Sequence, residues 1–301
     1  MGVRRVKRLG IAAAACIGIA ATANAADLVT KAPMLQTPLP AVDGLNGKAD
    51  AFGGELGRHS FYGGTGSFSV PVGPQFGFQA DGLTASYRGD FLSGIGAHGF
   101  WRDPSKGLIG LYGDYLHWDR LGGVNVGHFG AEGAVYLNRV TLEGVAGVES
   151  GSKRAAVIGG FIETVNLKTR AFDKVDLAYY LTDDLKFSIG HRYYGGKNAL
   201  ALGGEWAFAN VNNMAPALFV EGRVGSRESE GVWGGLRVYF GQKPKSLIRR
   251  HREDDPPGGL VDGSSAFGNG SGTQMMPTVP KQTPGIVCVP PAILINGVCA
   301  L

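Results

Sequence analysis

The sequence predicts an all-β protein, a transmembrane antiparallel up-and-down β-barrel of about 12 strands, with a flexible N-terminal segment before it and a periplasmic tail after it. Three observations point there. The chain opens with the layout of an export signal. Its central region alternates apolar and polar residues with period two. No later segment approaches the ~18 uninterrupted apolar residues that a spanning helix needs. A membrane chain without such helices has to close its strands into a ring, because lipid offers backbone N–H and C=O groups no partner.

The export signal comes first. Arg4, Arg5, Lys7 and Arg8 form a basic start, Leu9 to Ala21 is apolar and too short to span, and Ala23-Asn24-Ala25 supplies a small-x-small processing site. Cleavage is expected between Ala25 and Ala26. Removing the signal's 4 basic residues from 29 leaves 25, against 25 acidic ones, so the mature chain carries no net charge. The basic balance of the precursor therefore gives no reason to expect nucleic acid. Of the three cysteines only Cys288 and Cys299 survive processing, and in an oxidising compartment such a pair reads as one disulfide.

Residues 26–46 hold Pro33, Pro38 and Pro40 without periodicity, which reads as a periplasmic lead-in. Residues 47–240 form the barrel. Its expected strands are 47–57, 65–73, 76–87, 91–101, 107–118, 125–137, 139–149, 173–182, 185–194, 198–208, 215–224 and 231–240. In 173–182, Val175, Leu177, Tyr179 and Leu181 share one face, against Lys174, Asp176, Ala178 and Tyr180 on the other. Ten residues at ~3.3 Å rise and ~45° tilt cover about 24 Å, close to the apolar band of an outer membrane. Alternate connections are short (Asn138-Arg139, Asp183-Asp184), while the longest, Ser150 to Phe172, falls among the others. That is the asymmetry of short inner turns and longer outer loops. Within it, Ala155 to Val165 is apolar enough for a further strand or for a loop packed in the mouth. Fifty glycines in 301 residues, about one in six against a usual ~7%, are spread among Phe, Tyr, Val and Leu and suit strands more than helices.

The polar faces give the candidate functional residues. Asp114, Glu132, Glu143, Lys174, Asp176, Lys186, Arg192, Glu205, Glu221, Arg223 and Arg237 should line the lumen. Acidic residues dominate the fifth to seventh strands and mixed or basic ones the last strands, an arrangement able to orient polar solutes across a constriction. An ion-paired, water-containing filling of a structural barrel is the plainer alternative, since twelve strands lie between filled and open sizes. Catalysis is not expected. His59-Ser60 is the tempting pair, yet adjacent strand residues point to opposite faces. His98, His117, His128 and His191 lack metal-ligand spacing, so neither metal nor cofactor is expected.

The last strand ends Gly235-Leu236-Arg237-Val238-Tyr239-Phe240, in which Gly235, Val238 and Phe240 resemble the terminal signal read by the outer-membrane insertion machinery. Together with Ala26 to Pro33, Phe100 to Ser105, Val140 to Glu149, Leu236 to Gln242 and Ser246 to Pro256, the chain resembles an alphaproteobacterial family of outer-membrane β-barrel proteins, opacity-like and small porin-like in style. The resemblance covers most of the mature chain. It implies a fold and an outer-membrane place with both termini periplasmic, among outer-membrane lipids and lipopolysaccharide, and it brings no ligand residue.

Residues 241–285 change to a charged stretch and then to a Pro/Gly/Ser-rich linker. The basic run from Lys243 to Arg252 suits inner-leaflet phosphates or peptidoglycan, beside the plain reading of a solvated linker. Residues 286–301 read as a disulfide-closed hairpin turning at Asn296-Gly297. The expected function is a narrow porin-like channel for small polar solutes. The alternative is a non-conducting structural or surface-interaction barrel serving envelope integrity or adhesion.

Overall fold

A computed structural model describes residues 39–226, 228–254, 256, 258–275, 293–295 and 298–300. The export signal, its Ala25–Ala26 junction and Cys288 lie outside the described residues.

Twelve strands close into a ring. β1 (Asn46–Leu56), β2 (His59–Pro71), β3 (Phe76–Tyr87), β4 (Asp90–Asp103), β5 (Gly107–Trp118), β6 (Val124–Leu137) and β7 (Val140–Gly151) run up and down in sequence order. β8 (Lys153–Ile158) and β9 (Phe161–Asn166) then form a separate hairpin. The ring resumes with β10 (Arg170–Thr182), β11 (Leu185–Tyr194), β12 (Lys197–Ala207), β13 (Met214–Gly225) and β14 (Gly231–Phe240). β10 pairs with β7, and β14 pairs with β1 from Gly47↔Phe240 to Leu56↔Gly231, so no strand of the ring keeps an open edge.

The register follows the sequence's period of two. Val175, Leu177, Tyr179 and Leu181 on β10 stay 43% to 55% exposed, while Lys174, Asp176, Ala178 and Tyr180 between them are buried. The same holds around the ring: Ile95, Ile109, Leu111, Phe129, Leu142, Phe187, Leu218 and Leu236 all face outward. Among the described residues no protein core covers this apolar belt. An antiparallel barrel that is apolar outside and polar inside is built for lipid. Aromatic residues divide between the faces: Phe91, Tyr115, Tyr179 and Trp206 are exposed, whereas Tyr112, Trp118 and Tyr136 point inward and are buried.

Most strand boundaries shift by one to three residues, and two connections differ more. The connection expected over 59–64 belongs to β2, and the first turn shrinks to Gly57 and Arg58 at φ 61° and 63°. Gly63-Gly64 has turn composition, but a Cβ on Gly63 would lie 2.5 Å from the Cα of Ala85, so the glycine serves close strand approach. Between β7 and β10 the apolar run becomes the β8–β9 hairpin, turning at Gly159-Gly160.

The largest difference from expectation concerns the described residues from 241 to 275, which pack inside the ring instead of forming a solvated linker; residues 276–285 lie outside the described residues. β1 starts and β14 stops at the same end of the barrel, here the near end; the β8–β9 hairpin stands at the far end. From the near end the tail turns back as α1 (Leu247–Glu253), α2 (Leu260–Gly263) and α3 (Ser265–Asn269). It leaves at the far end as β15 (Ser271–Met275), which adds a strand to β9 from Ser271↔Val165 to Met275↔Phe161. The composition that reads as linker is what a chain packed inside a narrow ring requires. A Cβ on Gly259 would sit 2.3 Å from the Tyr112 hydroxyl, and one on Gly268 2.6 Å from that of Tyr87. Near the end of the chain, β16 (Ile293–Ile295) pairs with β17 (Val298–Ala300).

Candidate functional site

The site is the lumen together with the tail inside it. Strand alternation delivers all eleven expected charges to the inner wall, and the structure adds Lys48, Asp50, Asp81 and Glu149 to them. Lys48 and Asp50 have the period-two spacing that would have found them, but β1 carries too many small residues for an evident apolar face.

On the β3–β7 side histidines of the wall itself bridge its carboxylates. His98 is held between Asp81 (2.9 Å) and Glu132 (2.7 Å), and His128 between Asp114 (2.7 Å) and Glu149 (3.3 Å). Tyr112 donates its hydroxyl to Asp114. Arg170 and the Gly195 N–H both reach Glu149, at 3.3 Å and 2.9 Å. Among the described residues no group of three His, Cys, Asp or Glu is disposed to hold a metal ion.

On the β10–β13 side the wall needs the tail. Asp262 of α2 receives Lys174 at 2.6 Å on Oδ2 and Arg192 at 2.8 Å on Oδ1, with Arg223 on the same Oδ1. The three cations thus converge on a single buried carboxylate. Arg192 also reaches Asp176 at 2.8 Å, and the Arg223 guanidinium lies 4.7 Å from the centre of the Trp233 ring. Nearer the β1–β14 seam, Arg237 grips both oxygens of Asp50 at 2.8 Å and touches Glu205 at 3.1 Å, where Lys186 joins at 3.2 Å.

The tail is fastened at both ends as well. At the near end His251 lies between the hydroxyls of Tyr180 (2.8 Å) and Tyr239 (2.7 Å). Lys245 is buried against Asp254, Glu253 (3.2 Å) and Asp43 (3.3 Å). Arg250 donates to the Asn213 carbonyl at 3.0 Å and Arg252 to that of Val140 at 3.0 Å. The basic run expected to face phosphates or peptidoglycan is thus largely turned inward, with Lys243 and Arg249 left more exposed. At the far end Phe267 packs on Trp118 with centroids 5.5 Å apart, and Asn269 donates to the Tyr194 carbonyl at 2.8 Å.

The space left over is small. One cavity of about 130 Å³ lies among Lys48, Asp50, Lys174, Glu221, Arg237 and Asp262, and another of about 30 Å³ beside His98, Tyr112 and Gly259. Both fall well below the roughly 300–1,000 Å³ of a pocket for a drug-sized ligand, and they suit ordered water.

Asp262 is the residue that sequence reasoning missed. A signal for it exists. Inward positions on β10–β14 hold Lys174, Lys186, Arg192, Arg223 and Arg237 against Asp176, Glu205 and Glu221, a basic surplus that calls for a carboxylate from elsewhere.

No family model matches the sequence, and no curated protein matches it. Among solved structures the chain is similar to the translocator domain of autotransporter NalP from Neisseria meningitidis (16% identity, 66% of this chain and 88% of that one, TM-score 0.42). It is also similar to an outer membrane channel from Pseudomonas putida F1 (8% identity, 70% and 99%, TM-score 0.45). A third is the KdgM porin in complex with disordered oligogalacturonate (9% identity, 65% and 99%, TM-score 0.43). None is close enough to lend this chain a task. Gly235, Val238 and Phe240 lie on β14, the strand that closes the ring against β1.

Proposed function

We propose that this is an outer-membrane barrel whose own tail keeps a narrow polar passage shut. The apolar outer belt, the closed ring and the polar lumen support the placement in an outer membrane, with lipids and lipopolysaccharide as neighbours. The observation that carries the closed state is Asp262, whose single carboxylate engages three cations of the wall in mid-lumen. A standing solute pore would present those cations to water.

Planar-bilayer recording of the full chain tests the reading. The wild-type protein is silent at low voltage, and Asp262→Ala gives discrete openings whose size changes on adding Arg192→Gln. Steady wild-type current overturns the closed state. If Asp262→Ala stays silent even after protease has cut its loosened tail, the barrel is a permanent seal, a structural role that the small residual cavities also favour.

A further inference from the structure

The path of the tail has a consequence on the opposite side of the membrane from β1. We infer that the barrel carries the end of its own chain across the membrane and mounts it outside, so that the residues after Met275 stand on the cell surface.

The first ground is parity. Twelve ring strands bring the chain back to the end where it began, since β1 starts and β14 stops together. The segment from α1 to β15 then runs from the near end to the far end, one crossing more. Its near-end contact is the Asp183 carbonyl in the β10–β11 turn, which accepts from the Ile248 N–H at 3.0 Å. Its far-end contact is the five-residue ladder of β15 on β9. Polar, glycine-rich chain cannot cross hydrocarbon, but it can cross inside a ring whose wall supplies its partners.

The second ground identifies the ends. Near-end connections are all turns, the longest being residues 208–213; the far end has two-residue turns at 57–58, 88–89 and 195–196 as well, but it alone holds a long connection, 152–169 with its β8–β9 hairpin. Outer-membrane barrels keep short turns inside and long loops outside. A chain delivered from the inside with a polar lead-in also leaves that lead-in behind, which puts Asn46 and the near end on the periplasmic side.

The third ground is the mount. Arg120, in the β5–β6 connection, holds both oxygens of Glu163 on β9 at 2.8 Å and 2.7 Å and reaches Asp90 at the start of β4 at 2.8 Å. That bidentate contact lowers the Glu163 carboxyl below its ordinary range. The β8–β9–β15 sheet is therefore pinned to the rim, and the chain leaves it at Met275, next to the hairpin tip and 74% exposed. A loose tail would need no such fastening.

This inference goes beyond the closed lumen and fails separately from it, because current measures the seal while protease measures the crossing. After Arg252 the chain has one Lys or Arg, Lys281, so trypsin acting there releases a single C-terminal peptide, residues 282–301. The expected result is release of that peptide from intact cells expressing the native chain, read by mass spectrometry, and its loss in Lys281→Gln. Release only after the outer membrane is permeabilised overturns the proposal. If Lys281 resists in both states, an epitope tag after Leu301 decides. Antibody on intact cells supports the crossing, and antibody only on permeabilised cells overturns it.

Discussion

The two halves of the inner wall solve one problem differently. Around β3–β7, His98 and His128 each lie between two carboxylates of the wall itself. The tail meets that half without an ion pair, by shape at Gly259 against Tyr112, Gly263 against His128 and Leu260 over Gly94 and Gly96, and by hydrogen bonds of Arg252 to Val140 and Thr141 and of Gln79 to the Pro256 carbonyl. Around β10–β13, three cations share a carboxylate that only the tail provides. One half holds its histidines between carboxylates of the wall without the tail, and the other leaves three cations short of their shared anion. Docking is therefore specified by charge on one side and by close packing on the other, a division that fixes the tail's depth as well as its presence.

Breaking the charged side should have the largest effect. Asp262→Ala leaves Lys174, Arg192 and Arg223 buried together without their shared anion. Removing one partner of a buried ionic cluster costs about 3–5 kcal/mol, to be read as a lower urea midpoint and earlier proteolysis of the tail. A midpoint unchanged from wild type would show that the trio is solvated by water instead.

Crowding the packed side comes next. Gly259→Ala places a methyl group 2.3 Å from the Tyr112 hydroxyl. Overpacking of this kind costs about 1–3 kcal/mol, and Tyr112→Phe should recover part of it. A substitution without effect would mean that the tail floats past that wall.

A double-mutant cycle sharpens the contrast. Asp262→Ala combined with Lys174→Met should be non-additive by about 1 kcal/mol, whereas Asp262→Ala with His98→Gln, which share no partner, should add to within ~0.5 kcal/mol. Equal coupling in both cycles would erase the distinction between the halves.

The outer surface was legible and the inner one only by half. Period-two alternation places Val175, Leu177, Tyr179 and Leu181 on one face, because lipid selects every second residue along a strand. The same rule delivers Lys174, Arg192 and Arg223 to the lumen. It does not say what meets them, because Gly258 to Gly270 has no period of its own: each residue there answers to a different strand. β2 illustrates the other gap. Gly63-Gly64 has the composition of a turn, and only the closeness of Ala85 explains it as strand.

The seam between β1 and β14 bears on how such an object is made. A ring already shut could admit the tail only as a bare thread, led by the last residues before β16 and β17 pair. A ring still open could instead lay its sides around a tail already in position, with Gly47 meeting Phe240 last. Closing the seam and seating the tail are thus coupled steps in making the molecule.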